Sequence, residues 1–172
     1  MIVTTKNPKG TQKIARMLAR KVILEKRETA KIICLEGNLG AGKTTFTQGF
    51  AQALGIKARV LSPTFILMKI YELNLKPNPP AGRQSLPPRY LVHIDCYRFD
   101  SPKDLAHLGF KELLKDKDAI ILIEWADRVR KIIPKDALWI GFKQGKKPNE
   151  RLVELKIKNE KEKTETKKLK RF

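Results

Sequence analysis

One short string constrains this chain more than any other: Gly37-Asn38-Leu39-Gly40-Ala41-Gly42-Lys43-Thr44. It matches the phosphate-loop pattern Gly-x-x-x-x-Gly-Lys-Thr. Glycines there let the backbone wrap an anion and turn successive N–H groups inward. Lys43 can reach β- and γ-phosphates, and the Thr44 hydroxyl can ligate Mg²⁺. Accidental matches to these four positions occur in on the order of one chain in a hundred or fewer. The context agrees. Residues 31–36 form an apolar, β-branched run that suits a buried strand, and residues 44–54 carry Phe46, Phe50 and Leu54 four apart, as a helix requires. Gly55 is placed to end that helix. The helix would aim its positive N-terminal end at the same anion.

The rest of the chain fits one α/β domain around this unit. Residues 11–24 read as an amphipathic helix capped by Thr11, with Ile14, Met17, Leu18 and Val22 at helical spacing. Residues 59–61 are a brief strand candidate and 65–72 look extended. Residues 74–88 hold five prolines and one glycine and read as an exposed insertion. Residues 90–95 form a strand with His93 and Asp95 on one face. Ser101-Pro102 signals a short helix ending near Gly109. Residues 119–123 are the most apolar stretch, ended by Glu124, and 127–133 can be helical until Pro134. Leu138, Ile140 and Phe142 alternate, as do Val153, Leu155 and Ile157, around a turn at 145–149. Strands alternating with helices predict a three-layer, P-loop NTPase-like domain over 1–158, mainly parallel, with an antiparallel C-terminal portion. Residues 159–172 predict a lysine-rich, disordered tail.

Two carboxylates stand where such a fold binds ligands, beyond the carboxyl ends of its strands. Asp95 ends one strand. Glu124, after a run of isoleucine and leucine, resembles a Walker B terminus that holds Mg²⁺ or orients the attacking water. Ser62-Pro63-Thr64, between two strands, fits a loop that orders on a γ-phosphate. His93 can reach the site but reads as structural, and so does His107.

Charge points outward. The chain has 37 Lys and Arg against 18 Asp and Glu, a formal net charge of +19. From residue 156 onward there are eight basic and three acidic residues, so the body alone carries +14. Such a surplus favours an anionic partner such as RNA, or else only keeps the surface solvated. Cys34 and Cys96 form no Cys-x-x-Cys pair, and Cys34 reads as a reduced core thiol. No secretory signal and no apolar run of membrane-spanning length is visible, which predicts a cytoplasmic protein.

Four elements then occur together in order: residues 37–45, Ser-Pro-Thr-Phe at 62–65, His-Ile-Asp-Cys-Tyr-Arg at 93–98, and Ile-Glu-Trp at 123–125. In this combination the chain resembles the TsaE family over about residues 10–155. These are the bacterial ATPases of tRNA threonylcarbamoyladenosine biosynthesis. The resemblance implies an accessory role. TsaD, assisted by TsaB, modifies adenosine 37 of tRNAs reading ANN codons, and ATP hydrolysis by the TsaE protein resets that complex between turnovers. It implies nucleotide contacts from Gly37, Leu39, Gly40, Ala41, Gly42, Lys43, Thr44 and Thr45. Thr44, Glu124 and Asp95 would serve Mg²⁺, Thr64 the switch loop, and Trp125 the edge of the site. The segment around Pro8 to Thr11 would lie near the adenine, with further contacts from the 147–151 turn. Membrane contact is not implied, and tRNA would be met indirectly or through weak electrostatics.

The chain departs from the family pattern at Asn38, usually Asp, at Cys96, usually Leu, and in the length of the 74–88 insertion. Two other readings stand beside this one. The first is a small-molecule kinase with 74–88 as a lid carrying Arg83. The second is an ATP-gated binding module without turnover. A GTPase is disfavoured, because the chain has neither an Asn/Thr-Lys-x-Asp nor an Asp-x-x-Gly string.

Overall fold

Apolar runs bounded by charged or glycine-rich segments build the centre of the molecule. The computed structural model describes residues 1–75 and 87–156. The strands are β1 (Ile2–Thr5), β2 (Lys31–Glu36), β3 (Met68–Glu72), β4 (Tyr90–Asp95), β5 (Ala119–Glu124), β6 (Leu138–Gln144) and β7 (Arg151–Lys156). The helices are α1 (Pro8–Ile23), α2 (Lys43–Ala53), α3 (Pro102–His107) and α4 (Phe110–Lys115), with a 3-10 helix over Ala126–Ile132. One seven-stranded sheet runs β1-β7-β6-β2-β5-β4-β3. Its centre, β6-β2-β5-β4, is parallel, and β3, β7 and β1 add antiparallel edges. The expected mainly parallel α/β architecture with an antiparallel C-terminal hairpin is therefore observed.

Strand alternation divides the core in two. Ile33, Leu35, Leu91, Ile120, Leu122 and Phe142 pack under α1 and α2. Ile32, Cys34, Val92, Ile94, Ile121 and Ile123 pack under α3, α4 and the 3-10 helix. Helices on both faces of a buried parallel sheet explain why its strands read as continuous apolar runs.

Two expectations are corrected, and one strand was not foreseen. Thr11 does not cap the first helix. Asn7 does, accepting from the Gly10 amide at 2.9 Å, with Pro8 in the first turn, and Thr11 lies buried inside the helix. The buried stripe of α1 is Thr11, Ala15, Leu18, Ala19 and Val22, while Ile14 and Met17 border a groove. Small residues at this stripe permit a close crossing. A Cβ on Gly49 of α2 would stand 2.6 Å from the Gln12 Cα. Residues 59–61 form no strand, because the Val60 carbonyl accepts from Gln48 of α2 at 3.1 Å and not from a neighbouring strand. Strand β1, which the sequence did not suggest, joins the sheet edge through β7. Ser101 caps α3 in a reciprocal capping box with Asp104, as its Ser-Pro start predicts. The expectations for 159–172 and for most of the 74–88 insertion, Arg83 included, fall outside the described residues.

Candidate functional site

The site forms where β2, β4 and β5 end. β2 turns into the glycine-rich loop, and positive φ angles at Gly37, Gly40 and Gly42 let it curl back on itself. Gly37 is irreplaceable on space as well: a Cβ there would meet the Phe142 carbonyl oxygen at 2.3 Å. Arg151 of β7 braces the loop, its Nε donating to the Gly40 carbonyl at 3.1 Å.

Lys43 begins α2 and is nearly enclosed. Its Nζ donates to the carbonyls of Gly37 at 2.6 Å and Asn38 at 3.0 Å, and stands 3.7 Å from the centre of the Trp125 ring. Burial lowers its pKa, opposed by the negative charges of Glu124, Asp95 and Asp127. Trp125 holds a left-handed backbone (φ 57°), and its ring tilts against Tyr97 with centroids 5.0 Å apart.

Glu124 is buried at the end of β5. It accepts from the Thr44 hydroxyl at 2.8 Å on Oε2 and from the Thr47 hydroxyl at 2.9 Å on Oε1, where His93 Nε2 also lies at 3.0 Å. Hydroxyls and an imidazole orient this carboxylate. Asp95, paired in register with Glu124, has a different company. Its Oδ2 accepts from Ser62 and from Thr64, the latter at 2.9 Å, and Oδ1 accepts from the Tyr97 amide at 2.8 Å. The 62–64 loop is thereby tied to the end of β4.

Leu39, Gly40, Gly42, Lys43, Thr44, Thr45, Thr64, Asp95, Glu124 and Trp125 line one cleft of about 420 Å³, together with Ser62 and Tyr97. Three predicted residues stay outside it. Ala41 turns its side chain into the core, and Gly37 borders an adjacent hollow with Phe142. Thr11 is buried, its hydroxyl 2.9 Å from that of Thr5. Sequence reasoning missed Thr47, placed Ser62 in the switch loop without its bond to Asp95, and gave His93 only a structural role. Thr47 was within reach, since it lies three residues after Thr44 on the same helix face. Nothing local pairs Ser62 with Asp95.

The donor set fits a magnesium–nucleoside phosphate. A curled loop with a buried ammonium faces two carboxylates and a hydroxyl, all hard donors suited to Mg²⁺. Among the described residues no group of three or more His, Cys, Asp or Glu is set to hold a metal. Mg²⁺ bound mostly by water and phosphate needs only one or two protein carboxylates.

Fold and cleft together define an α/β protein of P-loop NTPase-like architecture. The family model described as "Threonylcarbamoyl adenosine biosynthesis protein TsaE" matches residues 5–153, and the chain belongs to that family. The tRNA threonylcarbamoyladenosine biosynthesis protein TsaE of Bacillus subtilis is 35% identical over 140 residues, covering 81% of this chain and 75% of its own length. Its namesake from Haemophilus influenzae is 35% identical over 115 residues, 67% of this chain and 64% of its own. The crystal structure of YdiB from Bacillus subtilis superposes with a TM-score of 0.70 at 30% identity, covering 99% of this chain and 94% of that one. No helix among the described residues is long and apolar enough to cross a membrane.

Proposed function

We propose that this protein binds and hydrolyses Mg-ATP, and that it does so as an accessory to the TsaD–TsaB complex in threonylcarbamoylation of adenosine 37 of tRNA. One observation carries the reading: Glu124, held by Thr44 and Thr47, lines the same cleft as the glycine-rich loop and Lys43. A buried carboxylate whose direct partners are hydroxyls and an imidazole, with no lysine or arginine bonded to it, is placed to meet a cation or a water.

Each residue then has a task. The loop backbone from Gly37 to Thr45 would cradle the phosphates. Lys43 would leave its carbonyl partners and the Trp125 face to meet the β- and γ-phosphates. The Thr44 hydroxyl and Glu124 would hold Mg²⁺, which when bound neutralises charge developing on the phosphoryl oxygens. Glu124, steadied by Thr47 and His93, would also orient the attacking water. Asp95 would pass the state of the cleft to the 62–64 loop through Ser62 and Thr64. Thr11 reaches the loop only through neighbours, since Thr5 lies within 3.5 Å of the Arg151 carbonyl and Arg151 braces Gly40.

The test is a reconstitution with TsaB, TsaD, tRNA, ATP and preformed threonylcarbamoyl-adenylate, counting modified tRNA per TsaD. Modification beyond one turnover with the wild-type protein, and not with Lys43→Ala or Glu124→Ala, is the expected result. Equal yield without the protein would sink the accessory role. ATP consumption that instead required an added small acceptor would favour a kinase.

A further inference from the structure

Helix α1 bears a charge pattern that its own stability does not explain. The first 24 residues contain six basic residues and no acidic one. Four of them, Lys9, Lys13, Arg16 and Arg20, recur at steps of four, three and four. At 100° per residue they fall within about 60° of arc and span about 16 Å along the axis. The stripe lies opposite the buried Thr11, Ala15, Leu18, Ala19 and Val22, so it faces outward; Lys9, Lys13 and Arg20 are exposed and Arg16 is partly so. Among the described residues no hydrogen bond or ion pair engages any of the four. A few cations elsewhere on the molecule do have carboxylate partners: Lys31 pairs with Glu25 at 2.8 Å, and Arg130 and Lys156 both pair with Glu36.

Most of the stripe works against the helix; only Arg20, in the last turn, suits the macrodipole. Lys9 sits in the first turn, where the macrodipole is positive and no acidic residue offsets it. Lys9 with Lys13, Lys13 with Arg16, and Arg16 with Arg20 are like-charge neighbours one turn apart, which repel. Such an arrangement is relieved by a polyanion.

We propose that the outward face of α1 binds the phosphate backbone of RNA, so that this protein contacts tRNA directly as well as through its partner proteins. The choice of RNA rests on the function proposed above; the stripe does not. A regular row of four cations suits a polymer charged at every repeat. A membrane surface is the poorer fit. Membrane-lying helices present their apolar face to lipid, whereas the apolar face of α1 is committed to α2 and the sheet, with Ile14 and Met17 half-covered beside β1. None of the four lines the nucleotide cleft, so the two functions are separable by mutation.

The experiment titrates fluorescent tRNA with the full chain between about 50 and 200 mM salt, where an electrostatic contact of micromolar strength is resolvable. The comparison is a variant carrying K9E, K13E, R16E and R20E, with vesicles of phosphatidylserine in phosphatidylcholine as the second ligand. The expected result is at least about tenfold weaker tRNA binding at low salt. The slope of log K against log salt should be smaller by about 3, because each lost phosphate contact removes roughly 0.7–0.9. ATP binding and turnover should be unchanged in a variant carrying only K13E, R16E and R20E. If the fourfold variant does not fold, K9Q with R20Q, both at exposed positions, should lower the slope by about 1.5. Equal tRNA binding by wild type and variant overturns the proposal, as does no binding by wild type at 50 mM salt. Loss of vesicle binding with tRNA binding unmoved overturns it in favour of a membrane. Failure of wild-type ATP turnover would count against the proposed function and leave the stripe's result standing.

Discussion

Two glutamates end neighbouring parallel strands, and their surroundings could hardly differ more. Glu36 closes β2 and faces solvent partly, its side chain 13% exposed, with Arg130 and Lys156 both on its carboxylate. Glu124 closes β5 with its side chain 2% exposed, and no lysine or arginine touches it; its partners are Thr44, Thr47 and His93. The first carboxylate is neutralised, and it pins the 3-10 helix and β7 to the end of β2. The second is desolvated and held by two hydroxyls and an imidazole, and the Lys43 ammonium acts on it only through space, an arrangement costly for stability and suited to receiving a further cation. Position at a strand end is therefore not what marks a functional acid. The identity of its partners is.

That contrast can be broken. Glu124→Gln keeps the shape and removes the charge, so ATP turnover should fall by roughly 10²–10⁴-fold while the melting temperature does not fall. Glu36→Gln should leave turnover within about threefold. Measured side by side by steady-state phosphate release, equal losses would dissolve the distinction between the two acids.

Thr47→Val sharpens it further. The change removes one orienting hydroxyl and leaves the Glu124 carboxyl in place. Turnover should drop about tenfold with nucleotide affinity little changed, since a single hydrogen bond to a charged group is worth about 1.5–3 kcal/mol. A large fall in affinity instead would mean that Thr47 shapes the cleft and does not aim the acid.

The pinning role of Glu36 should show in stability alone. Its partners are about half exposed, so Glu36→Gln should cost only about 1 kcal/mol by chemical denaturation, less at high salt. A cost several times larger would place a buried network where the structure has a rim.

The smallest effect concerns the two thiols. Burial raises the pKa of both Cys34 and Cys96, so neither forms an appreciable thiolate near neutrality. Iodoacetamide should label neither in the folded protein and both after denaturation. Rapid native labelling would show that the face of the sheet opposite α1 and α2 opens readily.

Much of this molecule is legible in one dimension. Apolar runs placed β2, β4 and β5 and put Asp95 and Glu124 at their ends. The glycine spacing marked the loop, and alternation marked the β6–β7 hairpin. These signals are local, because burial on both faces of a parallel strand and the close backbone turns of a loop leave their trace in adjacent residues. Other features have no such trace. Strand β1 pairs with residues some 150 positions away. Thr47 meets Glu124 across 77 residues, His93 across 31, and Ser62 meets Asp95 across 33. Asn7 displaced Thr11 as the cap because docking α1 on the sheet and α2 buried Thr11 within the helix. Which residues form strands and loops followed from the order of side chains along the chain. Which hydroxyl steadies which carboxylate was decided only when the sheet brought distant strand ends within hydrogen-bonding distance, since a bond of about 3 Å depends on where side chains finish in space and not on how far apart they lie in sequence.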